Sequence, residues 1–203
     1  MLPYIAAVLI GYLLGCSSMA FYIAKLKRVD IHHSGTGNLG ASNAMVTMGW
    51  AAGVLTALHD IGKSVLAVFL CRRLFPDAAW VGLVAGSAAV IGHNYPFYLH
   101  FKGGKGLAAY WGMILTVNWK LALAVALGIV VITLIFDYIA IGSVSAAVVF
   151  PVYTALKLGW TAFAIVAVAS LVLIGKHKDN FIRIWNGTEV GFRRAKTGKD
   201  RVA

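Results

Sequence analysis

Three stretches of this chain combine glycine with polar and basic side chains in a way that suits an anionic ligand. DIHHSGTGNLGASN (30–43) carries Gly35, Gly37 and Gly40, GHNYPFYLHFKGGKG (92–106) sets Lys105 between Gly104 and Gly106, and KHKDNFIRIWNGTE (176–189) places Asn180 three residues after His177. Glycine lets backbone N–H groups turn toward an anion with no side chain in the way, and a following helix adds the positive end of its dipole. Lys105 adds a full charge, a point contact of the kind that holds phosphate. Any one such loop reads equally well as a tight turn. Gly35, Gly37 and Gly40 also satisfy GxGxxG, with Asp60 following about 20 residues on, as a dinucleotide-binding fingerprint requires.

The elements around these loops exclude a dinucleotide fold. Of 203 residues, 60% are hydrophobic and only 12% charged, and the mean hydropathy of +0.81 belongs to an integral membrane protein. The run before the first loop, LPYIAAVLIGYLLGCSSMAFYIA, suits a spanning helix and not the strand that the fingerprint needs. The expected fold class is an all-α integral membrane protein, a single membrane domain over 1–203. About seven spans are predicted, near 3–24, 52–71, 79–96, 106–117, 121–136, 139–156 and 160–175; the fourth is short enough to be a half-span. The first lacks a charged leader and a convincing cleavage site, so it is expected to stay in the protein.

Seven crossings put residues 25–51, 97–105 and 176–203 on one side, together with 13 of the 18 Lys and Arg residues. The positive-inside rule makes that side cytoplasmic, with the N terminus outside and a basic C-terminal tail, 176–203, within. The net charge of +11 therefore serves anionic lipid head groups and anionic substrates, and nucleic acid is not an expected partner. All three glycine-bearing loops fall on this predicted face.

In order and spacing, GTGNLGASN, GHNYP with FKGGKG, and KHKDN with NGTE resemble the three cytoplasmic motifs of the acyl-phosphate:glycerol-3-phosphate acyltransferase family, PlsY. The similarity runs from the first span to the third motif. The resemblance implies a bacterial inner-membrane enzyme of phospholipid synthesis, which moves a fatty acyl group from acyl phosphate to the 1-hydroxyl of glycerol 3-phosphate, giving lysophosphatidic acid and phosphate. No cofactor or metal is implied. Acyl phosphate is an activated anhydride, so the protein's work would be positioning and charge stabilisation. On this reading Thr36 stands at the family's serine and offers a hydroxyl, His177 accepts a proton or hydrogen bond from the attacking alcohol, and Asn180 orients substrate. Gly35, Gly37, Asn38, Gly40, Ser42, Asn43, His93, Asn94, Lys102, Gly103, Gly104, Lys105, Gly106, Lys176, Arg183 and Glu189 would form the substrate- and phosphate-binding surface.

Two positions depart from the family's first motif: His32 and Val46 stand where arginines are usual. Neither replaces a bidentate guanidinium, which leaves compensation by Lys25, Lys27 or His33, a divergent paralogue with another acceptor, or a silent relative all open. Asp60 and Lys63 share one face of the second span, as in the family, and are expected to face the bundle interior as a pair. His59 reads as local polarity on a different face. Gly11 with Gly15, and Gly82 with Gly86, have the spacing of close helix packing without deciding oligomeric state; Cys16 and Cys71 read as packing residues. No histidine begins an HxxxxD pattern, which argues against the other large class of glycerolipid acyltransferases. A small anion channel or transporter remains the alternative, disfavoured by the absence of a visible internal repeat and by polar motifs on one face only.

Overall fold

The structure, a computed structural model, describes residues 1–193; Arg194, Lys196, Lys199 and Arg201 of the expected basic tail lie outside the described residues. Among those described, the regular elements are all helical: α1 (Leu2–Cys16), α2 (Met19–Lys27), α3 (Ala41–Met48), α4 (Trp50–Leu74), α5 (Val81–Asn94), α6 (Leu107–Val117), α7 (Trp119–Phe136), α8 (Ile139–Leu158), α9 (Trp160–Lys176) and α10 (Lys178–Trp185), with one 3-10 turn at Phe97–Leu99.

Among the described residues, four helical stretches are long and apolar enough to cross a membrane: Leu2–Lys27, Trp50–Leu74, Trp119–Phe136 and Ile139–Leu158. A fifth exists if α9 and α10 are taken together across a 42° bend. The first is broken where the sequence reads as one continuous span. Ser17 and Ser18 interrupt it, and the Ser18 hydroxyl accepts from the Phe21 N–H to start α2, the usual way a serine caps a new helix. The spans expected at 79–96 and 106–117 correspond to α5, of 14 residues, and α6, of 11. At 1.5 Å per residue these reach only about 21 and 17 Å, short of a bilayer's roughly 30 Å core. α5 is instead a central post, with all but two of its residues buried.

Small residues bring α5 against α1. A Cβ at Gly11 or Gly15 would run into the carbonyls of Ala85 and Ala89, and one at Gly92 into that of Tyr12, so the two backbones touch as close-packed membrane helices do. The Gly11/Gly15 spacing thus works within the chain. On the other side of α5, Val90 joins Tyr110, Met113, Phe150, Val166 and Leu173 in the main core. Tyr110 meets Phe150 edge to face at 5.7 Å and shares a hydrogen bond with the Ser170 hydroxyl, so its polar end is satisfied where water is absent.

Candidate functional site

The first motif is a loop organised by one buried amide. Asn43, on α3, accepts from the Thr36 N–H (2.8 Å) and donates to the Asn38 carbonyl (2.8 Å). Asn38 in turn donates to the Thr36 hydroxyl (2.6 Å) and accepts from the Gly40 N–H (2.8 Å). Gly35 and Gly37 hold φ of +60° and +69°, a backbone state that glycine adopts without a Cβ penalty. The second motif folds back on the end of α5: the Gly103 and Gly104 N–H groups donate to the carbonyls of Asn94 and His93 (3.2 Å each). Gly106, at φ +87°, then opens α6.

The third motif straddles the bend after α9. His177 is buried there, its Nδ1 2.9 Å from the Leu173 carbonyl. A carbonyl can only accept, so Nδ1 carries a proton, and in the neutral ring Nε2 is left as the acceptor. Glu189 reaches back to α10, taking a hydrogen bond from Asn180 Nδ2 at 2.6 Å and pairing with Arg183 Nε at 2.6 Å. Lys105 Nζ donates to Asn180 Oδ1 at 2.6 Å, which closes the second motif onto the third.

These segments surround a polar cavity of about 210 Å³. Thr36 and Asn38 come from the first motif, Gly103, Gly104 and Lys105 from the second, and Lys176, Asn180 and Arg183 from the third. Gly175 and Asp179 complete it; sequence reading missed both. Gly175 carries no chemical signal, and Asp179 is recognisable only once α10 sets it, still exposed, beside the cavity. The volume is below the roughly 300–1,000 Å³ of sites for drug-sized ligands, which suits a small polar molecule. Three cationic residues face it against the one carboxylate of Asp179, so it favours an anion. Burial pushes the Lys105 ammonium below the ordinary lysine range, with Glu189 partly opposing, and Lys176 lies over the Tyr95 ring at 4.5 Å.

Other expected site residues support the cavity without lining it. Gly35, Gly37, Gly40 and Asn43 shape the first loop, Asn94 and Gly106 lie behind the second, and the His93 ring reaches the cavity only at its edge, with Nε2 against Gly104. Ser42 and Lys102 are exposed away from the cavity. The N–H groups of Gly37, Gly40, Gly103 and Gly104 already have protein acceptors, so these glycines chiefly keep space clear and do not offer free amides. Lys27, considered as a replacement cation, donates to the Met48 carbonyl at 2.8 Å; His33 is exposed and pairs with Asp30.

An apolar groove of about 580 Å³ adjoins the cavity, lined by Ile174, Gly175, Lys178, Phe181, Ile182 and Trp185. Gly175 lines both spaces. A polar, cation-lined pocket beside an apolar groove is what a substrate with an ionic head and a hydrocarbon tail requires.

Helices of this length and apolarity are those of an integral membrane protein, and the pocket they hold suits an anion. The comparisons give the class its family: the model described as Glycerol-3-phosphate acyltransferase matches residues 5–187, and the chain belongs to that family. It is 36% identical over 190 residues to Glycerol-3-phosphate acyltransferase 1 of Oceanobacillus iheyensis, covering 89% of this chain and 91% of the relative. It is 37% identical over 193 residues to the glycerol-3-phosphate acyltransferase of Geotalea daltonii, covering 94% and 98%. The crystal structure of PlsY, an integral membrane glycerol 3-phosphate acyltransferase in its glycerol 3-phosphate form, superposes with a TM-score of 0.88 at 30% identity, covering 97% of this chain and 99% of that one. The lysophosphatidic acid form gives 0.84 at 30% identity, covering 95% and 96%.

Proposed function

We infer that this chain is a membrane acyltransferase that moves a fatty acyl group from acyl phosphate to the 1-hydroxyl of glycerol 3-phosphate, giving lysophosphatidic acid and inorganic phosphate. The observation that carries this reading is the junction at Gly175 of a cationic cavity and an apolar groove. Phosphate would lie among Lys105, Lys176 and Arg183, and the acyl chain along α9 and α10. Glycerol 3-phosphate and lysophosphatidic acid are the ligands of the two similar PlsY structures, and both fit this division into polar and apolar halves.

In the step itself, the alcohol oxygen of glycerol 3-phosphate attacks the acyl carbonyl carbon, and the bond from that carbon to the phosphate oxygen breaks. The departing phosphate carries the electron pair, and its charge is met by Lys105. The alcohol proton passes toward the Nε2 side of His177, whose Nδ1 is anchored on Leu173. Asn180, held between Lys105 and Glu189, and Thr36 orient the reacting oxygens. No covalent enzyme intermediate is needed because the donor is already activated.

The same reading places the chain as one membrane domain in the bacterial plasma membrane, crossing seven times with α1 and α2 as one broken crossing. The short α5 and α6 would cross inside the bundle, where protein and not lipid surrounds their ends. The three motif loops and the C terminus would face the cytoplasm, the basic side. The test uses purified protein with palmitoyl phosphate and labelled glycerol 3-phosphate, followed by mass analysis of the lipid. Lysophosphatidic acid is the expected product; labelled anion flux across liposomes without any lipid product would replace the enzyme by a transporter.

A further inference from the structure

Beneath the second motif lies a buried charged cluster to which the reaction above assigns no task. Asp60 and Lys63, one turn apart on α4, are 2% and 4% exposed, with Lys63 Nζ 2.8 Å from Asp60 Oδ1. Lys63 also donates to the Ser17 carbonyl at 2.8 Å, in the break between α1 and α2, and lies 2.8 Å from Nδ1 of His93 at the end of α5. An ammonium has three protons and accepts nothing, and here it hydrogen-bonds the Ser17 carbonyl and His93 Nδ1 while standing in ion-pair contact with Asp60.

This arrangement decides where His93 carries its own proton. Nδ1 is 3.3 Å from Asp60 Oδ1 but closer to the ammonium, which can only donate. A proton on Nδ1 would point at that ammonium, and a doubly protonated ring would set two cations 2.8 Å apart among side chains no more than 4% exposed. Nδ1 is therefore the acceptor, and the ring's proton sits on Nε2. Nε2 occupies the place beside Gly104 that a Cβ would fill. Among the described residues it has no protein acceptor, and Gly104 lines the cavity.

We propose that Asp60 and Lys63 are positioning residues that hold His93 as its Nε2–H tautomer, and that this N–H donates to an anionic oxygen bound against Gly104. The ion pair is thus a fixed stage for a neutral donor: the charge stays in the bundle, and the uncharged N–H is presented to the site. It explains why Gly104 has no side chain, since the ring nitrogen stands in its place. The proposal rests on reading the cavity as an anion site, but its first test does not depend on turnover.

The test is nitrogen-15 NMR of histidine-labelled protein in detergent, with His93 assigned by its loss in His93→Gln. The expected spectrum shows protonated Nε2 and bare Nδ1 on His93, with the Nε2 signal moving when inorganic phosphate is added. Protonated Nδ1, a doubly protonated ring, or an Nε2 signal indifferent to saturating phosphate would overturn it. Kinetics give a second arm. Glutamine offers an amide N–H near the Nε2 position and asparagine one near Nδ1, so His93→Gln should keep KM within a few fold while His93→Asn raises it tenfold or more at similar kcat. The paired variant Asp60→Leu with Lys63→Met leaves no buried charge alone and should raise KM as His93→Asn does; unchanged KM there, or equal loss in both His93 variants, would end the positioning role. If the NMR signature holds and no substrate turns over, the acyltransferase reading fails alone.

Discussion

Lys105 Nζ sits 2.6 Å from Asn180 Oδ1, so residues 75 positions apart in the chain share one hydrogen bond in the wall of the cavity. That bond lets the cation be placed before substrate arrives. Lys105→Ala should weaken substrate binding or rate roughly tenfold to a hundredfold, the worth of one charge-assisted hydrogen bond of about 1.5–3 kcal/mol. Steady-state kinetics on folded variant protein measure it. Wild-type parameters would remove Lys105 from the site.

Glu189 holds both Asn180 and Arg183 by contacts of 2.6 Å. If it acts by orienting Asn180, then Glu189→Gln and Asn180→Ala should be strongly non-additive in kcat/KM, the double variant being little worse than the poorer single one. Simple multiplication of the two losses would mean that Glu189 acts independently.

His177 presents Nε2 as acceptor because Nδ1 is committed to Leu173. Replacing it with alanine should lower kcat with KM nearly unchanged, the mark of an interaction made in the transition state. A rise in KM at constant kcat would make His177 a binding residue.

Partial burial pushes the pKa of the Lys105 ammonium below the ordinary lysine range. A cation is present below its pKa and lost as pH rises through it, so affinity for the anionic substrate should fall on the alkaline side earlier than a free lysine would allow. Arginine keeps its charge throughout. Lys105→Arg should therefore move the alkaline limb of KM against pH upward, whatever its absolute KM; an identical limb in both proteins would assign the titration to another group.

Gly175 joins cavity to groove, and a Cβ there meets nothing within 4 Å. Gly175→Leu should thus leave the helix intact or firmer while plugging the junction. Long-chain acyl phosphate should lose most of its rate and acetyl phosphate very little, as competition between the two donors would register. Equal effects on both would place the acyl chain elsewhere.

The polar cavity was legible because glycine, lysine, histidine and asparagine stand out against sequence that is otherwise apolar, and three such islands on one predicted face had to serve one site. Asp60 and Lys63 were legible for the same reason. What stayed hidden was geometry that no single residue type announces. α3 and α10 are eight-residue helices inside motif loops, too short to stand out in a search for spans. Asn43 reads as a ligand by type yet spends its hydrogen bonds on Thr36 and Asn38. His59, read as incidental polarity, has Nε2 3.0 Å from the Ser17 hydroxyl, because a break in the first span that apolar composition concealed brings Ser17 to it. The apolar groove could not be foreseen, since Ile174, Phe181, Ile182 and Trp185 differ in no way from lipid-facing residues until the 42° bend makes a hollow of them.

That groove is open along its flank, with Phe181, Ile182 and Trp185 38%, 48% and 91% exposed. On the proposed reading, a tail bound there would never leave hydrocarbon: it would slide in sideways, while the water-soluble acceptor would arrive from the aqueous phase. The two substrates then obey different concentration scales. Donor saturation should then follow its mole fraction in the surface, so that adding inert detergent at fixed bulk donor should slow the enzyme, and only the acceptor should behave as a solute counted per litre.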